Sequence, residues 1–473
     1  RRYQALALAA LAGALASLGL QLAAAPTAPA ALLPGLAATL VGAWAAVLVQ
    51  LLATVIGAYS SRYLEGEGAQ PRYVTALAGV LAAVHLLLLA DHWLVLLAAW
   101  AAVGLALQRL LCFYDDRPFA RLAAHKKRVA DRLADALLIA AAALAWHAVG
   151  SGSLPALWRH LGSGAPSAAL QASAVCLALA VVLRTALLPV HGWLIQVMEA
   201  PTPVSALLHA GVVNLGGFVL IRCAPLLAAV PPARWLLVGF GLANALLAGL
   251  VTLTRVSIKV RLAWSTVAQM GFMVLECGLG LYRLAMLHLI GHALYKAHAF
   301  LAASGVVDET RRRLMRGVAA PTMASRVAAP FGVAALLAAL TGWMAVPAWP
   351  AWWSGLLAFA WAPLLWLPAS QPADAPGAAR RLLAGAAMVA VLTVAALAGH
   401  ALPFGLADAP QRATGLAALA GMALGYLGLA SLQTRSPALA AWRRWSYAGF
   451  YVDEFSTRVV LRLWPTRWMP AAE

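Results

Sequence analysis

Residues 184–222 read RTALLPVHGWLIQVMEAPTPVSALLHAGVVNLGGFVLIR. The stretch is mostly apolar, yet it holds Arg184, His191, Glu199 and His209 among Pro189, Pro201 and Pro203. Two prolines two residues apart cannot sit inside an unbroken helix, because each lacks an N–H and clashes with the preceding turn. A helix break at membrane depth generally lines a cavity, where water or side chains take up the freed carbonyls. Ionisable groups there cost ~3 kcal/mol or more each, so each is a functional candidate. Glu199 beside the break suits holding or relaying a proton, and His209 follows about two turns later. The plainer alternative is a turn between two helices, with Glu199 and His191 wet at the surface.

The rest of the chain decides that this is a membrane setting. Of 473 residues, 63% are hydrophobic and 11% charged, and the mean hydropathy is +0.82. Soluble domains carry about 25% charged residues. Apolar runs long enough to span a bilayer recur near 4–23, 36–58, 73–91, 93–112, 133–150, 168–188, 203–222, 234–254, 259–279, 284–304, 327–346, 351–369, 382–402 and 412–432. The fold class expected is all-α, a polytopic membrane protein of about 13–14 transmembrane helices, because an open sheet in lipid leaves backbone groups unpaired. Tyr3 to Leu22, after Arg1-Arg2, reads as the first span rather than a signal peptide, since no polar domain follows it; the missing initiator Met suggests a few absent residues.

Charge sorts the loops. With the N-terminus in the cytoplasm and strict alternation, 27 of the 34 Lys and Arg fall on the cytoplasmic side, 5 outside, and Arg184 and Lys296 within spans. That is the positive-inside pattern. The net charge of +18 therefore does not mark a nucleic-acid protein, and no Lys/Arg tract interleaved with aromatics occurs. Cys112, Cys176, Cys223 and Cys277 lie in four different segments without a CxxC pair, which gives no disulfide framework or zinc site. The expected organisation is N-terminal helices over 1–112, a basic cytoplasmic segment over 113–132, a conducting core over 133–310, charge-poor helices over 311–435 and an amphipathic cytoplasmic tail over 436–473. Lys126, Lys127, Arg128, Arg443 and Arg444 are candidate partner-docking residues, although interfacial anchoring is the favoured reading of the tail's Trp residues.

A second polar cluster, LHLIGHALYKAHAF, covers 287–300. His288, His292 and Lys296 are spaced i, i+4, i+8 and stack on one helix face. Histidine titrates near neutral pH, and a buried Lys can exchange protons, so the stripe suits a relay. HxxxH also permits a metal, but neither a Glu base nor a third ligand accompanies it; packing histidines are the plain alternative. His191, Lys259 and Glu276 are secondary candidates; Glu276 falls late in its span, where the outer interface is expected. His85 reads as a packing residue, and Asp91-His92 as a helix junction. Val327 to Ala373 holds no ionisable residue, so an ion path is expected in the first ten spans. No nucleophile, phosphate loop or metal set is legible, so catalysis is not expected in this chain.

The stretches PVHGWLIQVMEAPTPVSALLHA, SIKVRLAWSTVAQMGFM and LHLIGHALYKAHAFLAASGVV resemble the antiporter-like subunits shared by respiratory complex I and Mrp-type cation/proton antiporters. FYDDRPFARLAAHKKRVADR and the tail GFYVDEFSTRVVLRLWP resemble, within that family, the membrane subunits of two-part inorganic carbon accumulation systems. The resemblance implies H+ or Na+ flow through Glu199, His209, His288, His292 and Lys296, with Arg184 setting the potential. It implies a bacterial plasma membrane, cytoplasmic termini, and a partner: a DabA-like large soluble zinc protein that hydrates CO2 to bicarbonate. No cofactor is expected in this chain, the zinc belonging to the partner. Two departures stand out. The family's carboxylate after Trp is absent at Trp100-Ala101, and its Lys is replaced by Arg184, which stays protonated and cannot carry a proton. The alternatives are a subunit of a complex I-, Mrp- or hydrogenase-type pump, or a non-conducting anchor for a soluble enzyme.

Overall fold

The computed structural model describes residues 2–23, 30–303, 320–344, 349–369, 377–434 and 437–468. Arg1, Arg311, Arg312, Arg313, Arg316, Asp374 and Arg435, together with the boundaries expected near 310 and 435, lie outside the described residues. Helices occupy all fourteen expected spans. In chain order they are α1 (Arg2–Ala23), α2 (Leu40–Tyr63), α3 (Gln70–Leu89), α4 (Trp93–Leu111), α5 (Pro118–Val149), α6 (Leu154–Gly162), α7 (Ala168–Arg184), α8 (Gly192–Ile195), α9 (Thr202–Ala210), α10 (Leu215–Arg222), α11 (Ala224–Ala229), α12 (Pro231–Thr254), α13 (Ile258–Leu279), α14 (Tyr282–Leu301), α15 (Met323–Met344), α16 (Ala351–Trp361), α17 (Ala378–His400), α18 (Arg412–Leu432), α19 (Ala440–Tyr447) and α20 (Val452–Leu463). Among the described residues eleven segments are long and apolar enough to cross a membrane; α7 and Ala351–Leu365 are shorter apolar helices, and α14 supplies the fourteenth. The chain is a multi-span membrane protein. A two-stranded hairpin, β1 (Ala30–Leu33) and β2 (Leu36–Ala38), was not expected; Pro34-Gly35 makes its turn, with Gly35 at φ +80° where a Cβ is disfavoured.

Local chemistry sets the helix ends. Thr39 and Ser167 accept from backbone N–H groups at the starts of α2 and α7, and Gly150 and Gly280 end α5 and α13 in the left-handed conformation. Small residues let helices approach in lipid. Between α12 and α13, a Cβ on Gly241 would lie 2.6 Å from the Leu275 nitrogen and 2.7 Å from the Gly271 carbonyl oxygen. One large apolar cluster joins α2–α14, and a smaller one packs α15, α16, α17 and α18 against α12–α14. At the end opposite the tail, Arg234 (1% exposed) donates to Gly278 O and Ala409 O, tying the 401–411 loop to α12 and α13.

The basic segment differs from expectation. Residues 118–132 are not a separate surface stretch but the first half of α5; the tail helix α20 folds back onto it, while α19 packs against α12. Lys126 donates to Asp453 Oδ1 at 2.5 Å and to Thr457 Oγ1 at 2.7 Å, and His125 Nε2 lies 2.8 Å from the Trp464 carbonyl oxygen. Lys126 and Lys127 are each 4% exposed, so neither is free to dock a partner: each ammonium is committed to an internal carboxylate. Arg443 is drawn to the Thr434 carbonyl at 2.5 Å; Arg128 and Arg444 remain exposed.

Candidate functional site

Two lines of buried ionisable groups run through the core. The first follows α14 as its sequence spacing implied. Lys296 is fully buried, and its Nζ donates to Leu262 O and Ser265 Oγ of α13, both at 2.9 Å. No carboxylate pairs with it among the described residues. One turn on, His292 is buried, and among the described residues neither of its ring nitrogens is bonded to a protein group. His288 follows, its ring centroid 6.1 Å from that of His292. His288 Nδ1 lies 2.8 Å from Glu276 Oε2, and Glu276 is 4% exposed. Glu276 is therefore the buried end of the stripe; α13 places it there by running antiparallel to α14. His209, fully buried on α9, joins from the side. Its Nδ1 meets Thr266 Oγ1 at 3.0 Å, and its ring stacks on Phe300 at 4.4 Å.

The second line was missed by sequence reading. Lys127, Asp131 and Asp135 are spaced i, i+4, i+8 on α5, a signal concealed when 113–132 is treated as a loop. Lys127 Nζ donates to both Asp131 oxygens at 2.6 and 2.5 Å and sits 4.9 Å from the Trp193 ring centroid. Asp135 accepts a charge-assisted bond from Arg184 Nη2. Arg184 is 6% exposed; its Nη1 donates to the Trp100 carbonyl at 2.7 Å, and its guanidinium stands 4.9 Å from the Trp100 ring centroid. The carboxylate absent beside Trp100 in the sequence thus has a spatial counterpart on the neighbouring helix. A cavity of about 90 Å³ lies here, lined by Ala101, Gly104 and Gln108 of α4, Asp131 and Asp135 of α5, and Arg184.

Between α7 and α9 the chain is broken over 185–201, with α8 and a 3-10 turn over Gln196–Glu199 inside the break. Pro201 and Pro203 stand at its far end: Pro201 is its last residue and caps α9, and Pro203 lies in the first turn of α9, where a missing N–H is harmless. The Leu188 N–H is taken by Asn244 Oδ1 at 2.6 Å. The two surface candidates separate. His191 is fully buried against Trp264, ring centroids 4.7 Å apart. Glu199 lies at the surface, its side chain 37% exposed and 3.7 Å from Arg117. The structure thus does not bring Glu199 to the α14 stripe. Lys259 reaches Thr202 Oγ1 at 3.1 Å, at the start of α9.

A bundle of spanning helices, interrupted beside a buried Arg and carrying a Lys–His–His–Glu stripe, defines an antiporter-like membrane subunit. The chain belongs to the family described as NADH:quinone oxidoreductase/Mrp antiporter, transmembrane, whose model matches residues 90–370. It is similar to the probable inorganic carbon transporter subunit DabB of Hydrogenovibrio crunogenus, 38% identical over 416 residues, 86% of this chain and 79% of the relative. The probable inorganic carbon transporter subunit DabB2 of Halothiobacillus neapolitanus is 47% identical over 255 residues, 54% of this chain and 46% of the relative, so the chain matches about half the length of that protein. Among solved structures, a chain of the Mrp complex from Dietzia sp. DQ12-45-1b superposes with a TM-score of 0.57 at 26% identity, over 98% of this chain and 55% of that one.

Proposed function

We propose that this chain is the proton-conducting membrane subunit of an inorganic carbon uptake system. The observation that carries the reading is the buried run Lys296, His292, His288 and Glu276 at the α13–α14 interface. Its chemistry suits H+ over Na+: imidazole and ammonium groups exchange protons, whereas Lys296 repels a bare cation. Buried polar atoms without protein partners call for water, and water beside His292 completes the hop between its neighbours. Arg184 remains charged and shapes the potential. Glu199 serves at most at the mouth of the path.

The tail-bearing face is the cytoplasmic one in this reading, since the Lys/Arg excess falls there, and the membrane is a bacterial plasma membrane. The relatives are named as subunits, which supports a partner: a DabA-like soluble zinc protein docked on that face, with Arg128 and Arg444 within its reach. Proton flow through this chain then drives CO2 hydration at the partner's zinc.

The test is purification of the tagged protein from its native membrane in mild detergent, identification and zinc assay of the chains that accompany it, and reconstitution into vesicles with a pH-sensitive dye. A large zinc-bearing partner and a proton leak abolished by Lys296→Ala, in protein that still inserts, are expected. Undiminished flux in that variant refutes the relay, and accompanying quinone-linked redox subunits would move the chain to the respiratory branch.

A further inference from the structure

Arg184 is a permanent charge almost wholly removed from solvent, and burying an ion without a compensating charge is strongly unfavourable. The compensation comes from α5. Asp135 is 19% exposed at its side chain and stands between Arg184 and the exposed guanidinium of Arg132, 4.0 Å away. Small residues on α4 make room for this arrangement. A Cβ on Gly104 would lie 2.9 Å from Asp131 Oδ2, and Ala101 lines the same cavity as Asp135 and Arg184. The Trp100 carbonyl that accepts from Arg184 is covalently joined to the nitrogen of Ala101. A carboxylate borne on residue 101 would therefore begin one peptide unit from the guanidinium.

We propose that Asp135 is a positioning residue for ion conduction: it holds Arg184 against Trp100 at the α4–α5–α7 cavity, and what conduction requires is a carboxylate in that cavity, whichever helix carries it. The inference rests on the proton-conducting reading. The other charged groups around Asp135 are Lys127, Arg128, Asp131 and Arg132 on α5 and Arg184 on α7. Lys127 and Asp131 satisfy each other, and Arg128 and Arg132 are exposed, so Asp135 is the partner left for Arg184. A helical ion pair serving packing alone would be replaceable by a neutral hydrogen-bonded pair of the same shape; a pair that sets the charge of a conduction path would not.

The experiment compares proton flux in vesicles for the protein reconstituted with its co-purifying chains, at matched insertion. Asp135→Asn is expected to lower flux at least tenfold. Asp135→Asn with Arg184→Gln, which removes both charges, should stay equally low. Asp135→Ala with Ala101→Glu, which moves the carboxylate to α4, should recover most of the flux and gives the decisive reading if Asp135→Asn fails to insert. Parental flux in Asp135→Asn or in the neutral pair overturns the proposal, as does an inserted Ala101→Glu variant that fails to recover. Loss of flux in Lys296→Ala alongside normal flux in Asp135→Asn overturns this proposal and leaves conduction standing; parental protein without flux overturns conduction itself.

Discussion

Asp453→Ala tests whether the C-terminal helix is fastened to the membrane core or merely lies on it. In the structure Lys126 is 4% exposed and gives its ammonium to Asp453 Oδ1 at 2.5 Å and Thr457 Oγ1 at 2.7 Å. The pair presses on the broken segment: a Cβ on Gly192 would fall 1.6 Å from Asp453 Oδ1 and 2.2 Å from Lys126 Nζ. Deleting one partner of a buried pair costs about 3–5 kcal/mol. Asp453 is 18% exposed at its side chain, so water reaches the orphaned ammonium and the lower figure, about 3 kcal/mol, applies. At ~1.4 kcal/mol per tenfold, the docking equilibrium of α20 falls by a factor of about 100. Other attachments remain, at His125, between the Phe119 and Trp468 rings and where Val452 packs on the apolar core, but none of them is an ion pair. The assay is amide hydrogen exchange over 452–463 in purified protein, with a double-mutant cycle against Lys126→Met. Exchange should accelerate about 100-fold in Asp453→Ala. The double variant, with no charge left buried, should return to within about 1 kcal/mol of the parent. Unchanged exchange, or strict additivity in the cycle, refutes the fastening.

Gly241→Ala should destabilise the protein by about 1–3 kcal/mol, seen as a lower thermal midpoint in detergent, because the new methyl meets backbone atoms of α13 that cannot turn aside; an unchanged midpoint would mean the two helices can slide apart freely. Glu276→Gln keeps the hydrogen bond to His288 but removes the charge, and flux in vesicles should drop at least tenfold, where retained flux would end the path at His288. In the 401–411 loop, burial raises the Asp408 carboxyl above the usual carboxylate range despite the opposing Arg283 N–H, His400 and Arg283 charge. A raised folded-state value gives stability that is present at low pH and lost as pH rises through it, so Asp408→Asn should become relatively more stable than the parent as pH rises above about 4, as read by thermal unfolding.

The spans were legible because each is an apolar run that can satisfy its backbone only as a helix. The α14 stripe was legible for a related reason: His288, His292 and Lys296 repeat at helical spacing among apolar neighbours. The α5 stripe obeys the same spacing, yet Lys127 and Asp131 sit in a basic stretch that resembles a cytoplasmic loop. Only the 32-residue length of α5 shows that the stretch is helical and partly covered. What covers it is the tail, and the Lys126–Asp453 pair links residues 327 apart, which no local pattern announces. Glu199 illustrates the opposite error. Its proximity to two prolines suggested a cavity, but those prolines begin α9, and the carboxylate faces Arg117 at the surface. Glu276 looked interfacial because it ends a span, whereas the antiparallel turn into α14 returns His288 to it.

Two stripes differ in what they allow a charge to do. On the α5 side, Lys127 with Asp131 and Arg184 with Asp135 form two closed pairs, each with its counter-charge within hydrogen-bonding distance. Moving a proton onto either carboxylate would leave a buried cation without compensation, a change that is strongly unfavourable. On the α14 side the opposite charges stand at the two ends, with Lys296 bonded, among the described residues, to a carbonyl and a hydroxyl and Glu276 held by His288. A proton leaving Lys296 and arriving at Glu276 through His292 and His288 discharges both ends at once. The stripe therefore has two forms of equal net charge, one separated and one neutral, with titratable rings between them. An arrangement with two balanced forms can pass protons in succession, whereas one locked into closed pairs can only set the field in which they move. That difference is the physical ground for placing conduction on α14 and positioning on α5.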